Sequence, residues 1–488
     1  MIITQISLFV FSIILYCLSY KYYASEKYDF SLASILIGGI LLRLLMMNDP
    51  FLHTWDERYH FLVAKNLLNN PIEPKLYAKA LLDYDYRSWA SNHIWLHKPP
   101  FALWTIALSF KIWGISEFAG RLPSLFFSIS CVYLTHQIAF SLFKDRKIAI
   151  IAAFLHSING LILEIGAGRI STDHIDTTFF FLLEYSIYLS LCHSRQNKYS
   201  LLIIIGILTG IAVLTKWYIG LFIIPMFFLS NIAKERVWKP IVQTLLIAII
   251  SIPFFYTWQN YIMSHFPQEA IWEKSYNFRH LFESIEGHGQ PWWYHLDKAR
   301  IIWNELIYII FGWFMVQWVR KPFEKSYYLL SFWVIIPYTI FSMCTTKMQG
   351  YLLFTAPPLF MMIAVFMVYN MERFLLHKYL KYLPIIIILL SIRYSIERVK
   401  PFQNHASLLA EKTQILNYKQ SIADPKTVIF NAKNYIEIMF YTDFIAYPQL
   451  PTASEMEQIK KQGYAIALIK GDNFPAYILN DAYIKILP

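Results

Sequence analysis

Charge is scarce in this chain. Only 15% of its residues are Asp, Glu, Lys or Arg, against about 25% in soluble domains. There is no run of acidic residues, no low-complexity stretch and no internal repeat, so disordered and solenoid architectures are excluded. Cysteine is also sparse. Cys17, Cys131, Cys192 and Cys344 each lie inside an apolar segment with no metal-ligand spacing, which reads as buried free thiols and excludes a disulfide scaffold or a zinc cluster. The first twenty residues lack a charged leading region and a small-residue cleavage site, so they read as a retained helix. Segments of about ten residues with strict alternation, the mark of a membrane β-barrel, are missing too.

Long hydrophobic runs are what is present. The composition is 57% hydrophobic, with 15 Trp, 34 Tyr and 38 Phe in 488 residues. Stretches such as "LLIIIGILTGIAVLTKWYIGLFIIPMFFLS" reach the ~20 apolar residues a spanning helix needs. The pattern predicts an α-helical polytopic membrane protein with about twelve spans. They fall near 3–20, 30–47, 122–143, 148–165, 175–192, 200–217, 218–231, 241–260, 301–318, 328–345, 351–370 and 383–396. The net charge of +11 does not point to nucleic acid, because the basic residues flank the apolar runs.

Alternate connections are basic: Lys21/Lys27, Lys144/Arg146/Lys147, Arg195/Lys198, Lys234/Arg236/Lys239, Arg320/Lys321/Lys325 and Arg373/Lys378/Lys381. By the positive-inside rule these are cytoplasmic. The exterior face then receives 48–121, 166–174, the turn near Lys216, 261–300, 346–350 and the tail. The apolar segment 98–114 is short, and counting it as a span would invert the alternation. It reads as an interfacial helix with Trp104 and Trp113 at headgroup level. Two units follow: a transmembrane domain over 1–397, whose exterior loop 48–121 carries the candidate motifs, and a soluble exterior α/β domain over 398–488. In the latter, "TVIFN", "YAIALIK" and "AYIKILP" read as strands, and Ser454 with Glu457 has capping-box spacing.

The chemically interesting residues gather at exterior ends of spans. Asp56 and Glu57 in "WDERYH" are either a solvated pair complementing a helix dipole or a base or metal ligand at the membrane surface. Lys98 follows His97 on the stiff turn "HKPP", as an interfacial anchor or as a cation available to a lipid phosphate. In "GRISTDHID", Arg169, Asp173, His174 and Asp176 stand where ionisable groups are costly and therefore functional candidates. His288 and His295 lie in "GHGQPWWYH". Lys216 and Lys347 are lone cations on the side that the positive-inside rule depletes, which favours phosphate binding.

Taken in chain order, "DERYH", "HKPPFALW" with "GISEFAGRLPS", "GRISTDHIDTTFFF", "LTKWYIGLFIIP", "HGQPWWYH" and "KMQGYLLFTAPP" resemble glycosyltransferase family 39 of the lipid-dependent GT-C class. That family includes protein O-mannosyltransferases and the transferases that add aminoarabinose to lipid A. The resemblance covers roughly 40–370. It implies a sugar donor on a polyprenyl phosphate, a cell-envelope acceptor (lipid, glycan or protein), and a site on the exterior face of a bacterial inner membrane. It assigns catalysis to the acidic position of Asp56, with Glu57 beside it, and the donor site to Lys98.

Arg169, Lys216, Lys347 and Tyr351 join Lys98 as expected donor-phosphate contacts. Arg58, Tyr59, His97 and Asp173 are expected at the substrate site. A divalent ion held by His97, Asp173, His174 and His288 is a further expectation, since imidazole with carboxylate suits zinc or manganese; no organic cofactor is expected. This chain departs from the aminoarabinose transferases in carrying His97 where they carry Glu before Lys-Pro-Pro, and in an extra first span. A transporter of lipid-linked sugars and an inactive scaffold remain alternative readings.

Overall fold

The computed structural model describes residues 2–232, 237–403, 405–471, 474–481 and 483–488. Lys234 and Arg236 of the fourth basic connection lie outside the described residues. The chain is a multi-pass helical membrane protein with a small parallel sheet near its C-terminus. Helices α1 (Ile2–Ala24) and α2 (Tyr28–Met47) form an antiparallel pair, followed by α3 (Asp56–Leu67) and α4 (Pro100–Trp113). The bundle continues with α5 (Glu117–Phe143), α6 (Arg146–Ile158), α7 (Gly160–Gly166), α8 (His174–Gln196), α9 (Tyr199–Lys216), α10 (Ile223–Asn231) and α11 (Trp238–His265). Helices α12 (Pro267–Arg279), α13 (Tyr294–Ile302), α14 (Ile307–Arg320), α15 (Lys325–Met343), α16 (Ala356–Tyr369), α17 (Met371–Leu376) and α18 (Leu383–Val399) complete it.

Among the described residues, 8 helices are long and apolar enough to cross a membrane, or up to 10 if the bent pairs α6–α7 (53°) and α13–α14 (102°) each count once. Length alone undercounts the twelve expected crossings at two places. The expected spans 200–217 and 218–231 form one helical stretch by composition, Tyr199–Asn231, but the chain reverses at Trp217, where φ is 53°: Asn231 donates to the Ser190 carbonyl at 3.4 Å and Phe227 lies against His193, beside the start of α9. Helix α18 has 17 residues, at the lower end of the range that can span. Helix α4, at 14 residues, is too short to span. Pro100 opens it at the first helical position, where a missing N–H costs nothing.

Several polar groups inside the bundle find partners in one another. Arg43 donates to Ser128 Oγ at 2.8 Å and to the Gly39 carbonyl at 3.1 Å. Thr135 bridges His156 (2.7 Å) and Glu184 (2.5 Å) between α5, α6 and α8. Without water, each such group needs a protein partner.

The C-terminal unit begins with α19 (Ala406–Ser421) and contains β1 (Thr427–Phe430), α20 (Tyr435–Tyr441), β2 (Ile445–Ala446), α21 (Ala453–Lys461), β3 (Ala465–Ile469) and β4 (Ile484–Leu487). The strands are all parallel, in the order β2-β1-β3-β4. The sequence signal misses β2, which has only two residues. It also places the α21 cap two residues late: Thr452 and Glu455 form the capping box, because Pro451 ends the preceding extended chain just before it.

This unit is not a free appendage. Its core residues Ile436, Met439 and Phe440 belong to the same hydrophobic cluster as Phe61, Leu62 and Leu67 of α3 and Phe110 of α4. Polar ties reinforce the seam. Lys65 donates to the carbonyls of Met439 (2.9 Å), Phe440 (3.0 Å) and Thr442 (2.7 Å), and Lys412 pairs with Glu117 at 2.5 Å. Helix α3 is thus wedged between bundle and sheet, and its N-terminus is fixed from both sides.

Candidate functional site

The first turn of α3 carries Asp56 and Glu57, whose negative charge complements the helix N-terminus. One residue of helical rotation separates two different fates. Glu57 points inward and is fully buried. Its carboxylate accepts from Arg121 Nε at 2.7 Å and Nη2 at 2.8 Å. The His53 amide donates to it at 2.8 Å, and His174 Nε2 lies 3.2 Å away. Burial pushes the Glu57 carboxyl up, but Arg121, His53 and the hydrogen bonds from Arg121 and His174 outweigh it and hold it well below the usual range. Arg121 spends its remaining donors on the carbonyls of Met47, Asp49 and Phe51 at 2.6–3.0 Å. Gly168, at φ +73°, is required here: a Cβ would sit 2.5 Å from Glu57 Oε1 and 2.8 Å from His174 Nε2. Glu57 is an anchor for the loop between α2 and α3, with no acceptor left for substrate.

Asp56, by contrast, is half-buried and has no hydrogen bond or ion pair among the described residues. Burial is the largest influence on it and pushes its carboxyl up to about 6; Lys98 and His60 pull the other way, while Asp173 and Asp176 add to the rise. Lys98, at the start of α4, is also half-buried and without a hydrogen-bonded or ion-paired partner among the described residues. Around these two, three charged pairs are matched. Asp173 accepts from His60 at 2.7 Å, Lys216 pairs with Asp176, and Asp49 pairs with Arg169 at 2.8 Å. Tyr351 lies over Lys216, 5.6 Å from the ammonium to the ring centre, and within electrostatic reach of Asp56 and Asp176.

A second wall, of which the sequence analysis expected His97 alone, comes from the exterior loop and α12. His97 stacks on Trp89 (4.6 Å between centres, 11° between planes) and lies 3.4 Å from Glu273. Glu286 accepts from Trp89 Nε1 at 2.6 Å and from the Tyr276 hydroxyl at 2.7 Å. Burial dominates at Glu273 and pushes it up to about 7, with Lys98 opposing; its Oε1 is buried without a partner. Burial, with Lys98, holds His97 well below its usual value. Glu273 lies in a segment with no motif of its own, and Glu286 stands just before "GHGQPWWYH", so only folding brings the two together.

Several expected site residues are placed elsewhere. Arg58 pairs with Glu437 of the C-terminal unit at 2.9 Å, and the Tyr59 hydroxyl faces that of Tyr435 at 3.4 Å; both dock the sheet onto α3. Arg169 binds Asp49 and the Val399 carbonyl (3.0 Å). Lys347 is buried and donates to the carbonyls of Gln290 (2.9 Å) and Cys344, clipping the 280–290 loop to the segment before α16. The four proposed metal ligands do not converge: His97 faces Glu273, Asp173 faces His60, and His174 is held between Ser124 (2.7 Å) and Glu57. The backbone carbonyl of His288 accepts from Lys347 N. Among the described residues, no group of three or more His, Cys, Asp or Glu side chains could hold a metal.

Comparison with known proteins finds relatives in sequence and in fold. Residues 97–258 match the family model described as dolichyl-phosphate-mannose-protein mannosyltransferase. The undecaprenyl phosphate-alpha-4-amino-4-deoxy-L-arabinose arabinosyl transferase of Enterobacter sp. (strain 638) is 23% identical over 337 residues, 68% of this chain and 58% of that protein. The Yersinia pestis (strain Pestoides F) transferase of the same name is 22% identical over 343 residues, 69% and 59% respectively. The chain thus matches less than two thirds of the length of these curated relatives. Among solved structures, ArnT from Cupriavidus metallidurans bound to undecaprenyl phosphate superposes with a TM-score of 0.61 at 11% identity, covering 88% of this chain and 87% of that one. The oligosaccharyltransferase AglB from Archaeoglobus fulgidus gives 0.55 at 13% identity, covering 86% and 64%. The chain has the fold shared by these membrane glycosyltransferases.

Proposed function

We propose that this chain is a GT-C glycosyltransferase that moves a sugar from a polyprenyl-phosphate donor to a cell-envelope acceptor, with its site on the periplasmic face of a bacterial inner membrane. One observation carries the reading: Asp56 and Lys98 are neighbouring, opposite charges, neither hydrogen-bonded nor ion-paired among the described residues, beside the matched pairs His60–Asp173, Lys216–Asp176 and Arg169–Asp49. A carboxylate and an ammonium kept free at the same place serve a ligand that needs both.

The acceptor oxygen attacks the anomeric carbon, the bond from that carbon to the lipid-phosphate oxygen breaks, and the electron pair leaves with the phosphate. Asp56 takes the proton of the acceptor hydroxyl. Lys98 meets the charge that grows on the departing phosphate, where a preorganised cation in a poorly hydrated site is most effective. The Lys216–Asp176 pair and Tyr351 border the same space, and Lys216 can add positive potential once an anion enters. Phosphate is already a good leaving group, so no general acid is required. The charge pattern of the loops supports the periplasmic face, because the basic connections alternate along the chain with the connections that carry the motif residues.

The test is turnover by the purified protein given a polyprenyl-phosphate sugar, labelled in the sugar, and an envelope lipid extract. Free polyprenyl phosphate and label in the acceptor fraction are expected. Movement of the intact donor across a vesicle membrane, without bond cleavage, would instead identify a transporter.

A further inference from the structure

Away from Asp56 and Lys98, a cavity of about 220 Å³ opens where the exterior loop meets the C-terminal sheet. Its floor is aromatic. Tyr77 and Tyr447 lie face to face, 5.0 Å apart at 16°, and Phe430 continues the stack at 5.5 Å. The Tyr447 hydroxyl is fixed by the amides of Leu81 (3.2 Å) and Leu82 (3.4 Å), so the wall is rigid. The rim is polar, with Asp83, Tyr84, Asp85 and Gln449 all exposed. Asp83 has no hydrogen bond or ion pair among the described residues, and Asp85 is shared with Arg87 at 3.0 Å. His93 also lines the cavity, with a buried Nδ1 that lacks a partner, and the neighbouring Asn92 is fully buried with both amide atoms unpartnered.

The position has a topological reason. Tyr447 and Gln449 directly follow the carboxyl end of β2, and β1 ends beside them at Phe430. In open parallel α/β sheets, ligands bind outside the carboxyl ends of the strands. Here the exterior loop closes over that edge and turns it into a pocket.

We propose that this pocket binds one neutral saccharide ring of the acceptor. A sugar ring carries a rim of hydroxyls, which suits carboxylate, amide and imidazole partners; the buried stack of Tyr77, Tyr447 and Phe430 sets the depth of the cavity and holds its shape. The volume is below the ~300 Å³ at which drug-sized sites begin, so a single ring fits and a chain does not. Carboxylates at the rim disfavour phosphate or other anions. Burial lowers His93 from its ordinary value, leaving it neutral at pH 7 and suited to hydroxyls. That the saccharide belongs to the acceptor rests on the transferase reading; the binding itself does not.

The experiment is saturation-transfer NMR on the full-length protein in a detergent without a sugar headgroup, using methyl hexopyranosides and a hexose 1-phosphate as probes. The methyl glycosides are expected to bind through their ring C–H protons, and the phosphate ester to bind at least tenfold more weakly. Asp83→Asn and Gln449→Ala, both at exposed positions, are each expected to raise the methyl glycoside Kd by about tenfold, the effect of one lost hydrogen bond to a charged or amide acceptor. Absence of methyl glycoside binding, binding untouched by both variants, or preference for the phosphate ester would overturn the proposal. Retained binding in a protein that fails to transfer sugar would remove the transferase reading alone.

Discussion

Glu57 and Arg121 form a two-pronged ion pair, 2.7 and 2.8 Å long, with both side chains wholly shielded from solvent. Asp56, one residue earlier, has no ion pair among the described residues. The pair ties α5 to α3, and Arg121 simultaneously caps the carbonyls of the loop from Met47 to Phe51. Removing one member strands the other, a loss of about 3–5 kcal/mol. Glu57→Gln is therefore expected to lower the melting temperature of the detergent-solubilised protein markedly, with turnover falling in step with the folded fraction. Unchanged melting with abolished turnover would return Glu57 to the chemistry.

Asp56→Asn and Lys98→Ala are expected to separate. The first keeps the shape and removes the base, so donor affinity survives while kcat falls by roughly 10²–10⁴. The second removes a charge-assisted contact to the donor phosphate, so donor binding weakens and turnover falls with it. Equilibrium donor binding and single-turnover rates for both variants check this. Loss of donor binding in Asp56→Asn with normal binding in Lys98→Ala would reverse the roles. A small effect of Asp56→Asn on turnover alone would mean an acceptor that is already anionic.

The class of fold was legible because membrane burial imposes long apolar runs and basic loops, signals that survive in a single sequence. Asp56 and Lys98 were legible for the same reason: each directly follows a topological landmark, the end of α2 or the Pro-Pro turn. What could not be read was pairing. Nothing local to "DERYH" distinguishes Asp56 from Glu57; the difference lies in Arg121, 64 residues on. Arg58, Tyr59 and Lys347 look like site residues by position, yet the folded chain spends them on Glu437, Tyr435 and two backbone carbonyls. Glu273 and Glu286 reach the site from α12 and the loop after it, across a sequence distance that no motif spans.

Docking of the C-terminal unit is expected to matter for catalysis through α3. Arg58 and Glu437 form the shorter charged contact between them, at 2.9 Å and mostly buried, beside Lys65–Asp443 at 3.7 Å. A double-mutant cycle of Arg58→Ala and Glu437→Ala should give a coupling of about 0.5–3 kcal/mol in thermal stability. Deleting 403–488 should go further and expose the apolar flank of α3, including Phe61 and Leu62, so donor binding falls together with stability. A truncated protein of normal stability and donor affinity would show that α3 holds Asp56 without help.

Orientation has a direct check. Cysteines introduced by Asp85→Cys and His288→Cys should react with an impermeant thiol reagent added outside, and Lys198→Cys should not, because Lys198 belongs to a basic connection. Gly350 is a poor choice for this purpose: a Cβ there would lie 1.9 Å from Thr172 Oγ1. Labelling of Lys198→Cys from outside would place the site on the cytoplasmic face.

The pH profile should carry two limbs with separable owners. Burial pushes the Asp56 carboxyl up to about 6, so below that pH it is protonated and cannot accept the acceptor's proton; turnover rises as pH climbs through about 6. Burial likewise pushes Glu273 up to about 7. There the sign is opposite for function, because losing that proton places a new negative charge near Lys98 and opposes an incoming phosphate. Donor affinity is therefore expected to decline as pH rises through about 7, giving a bell-shaped kcat/KM with its maximum between the two. Glu273→Gln should remove the alkaline limb and leave the acid limb in kcat; Asp56→Asn should flatten the acid limb on a much lower rate. An alkaline limb that persists in Glu273→Gln would assign it to another group. An acid limb unchanged in Asp56→Asn would deny Asp56 the role of base.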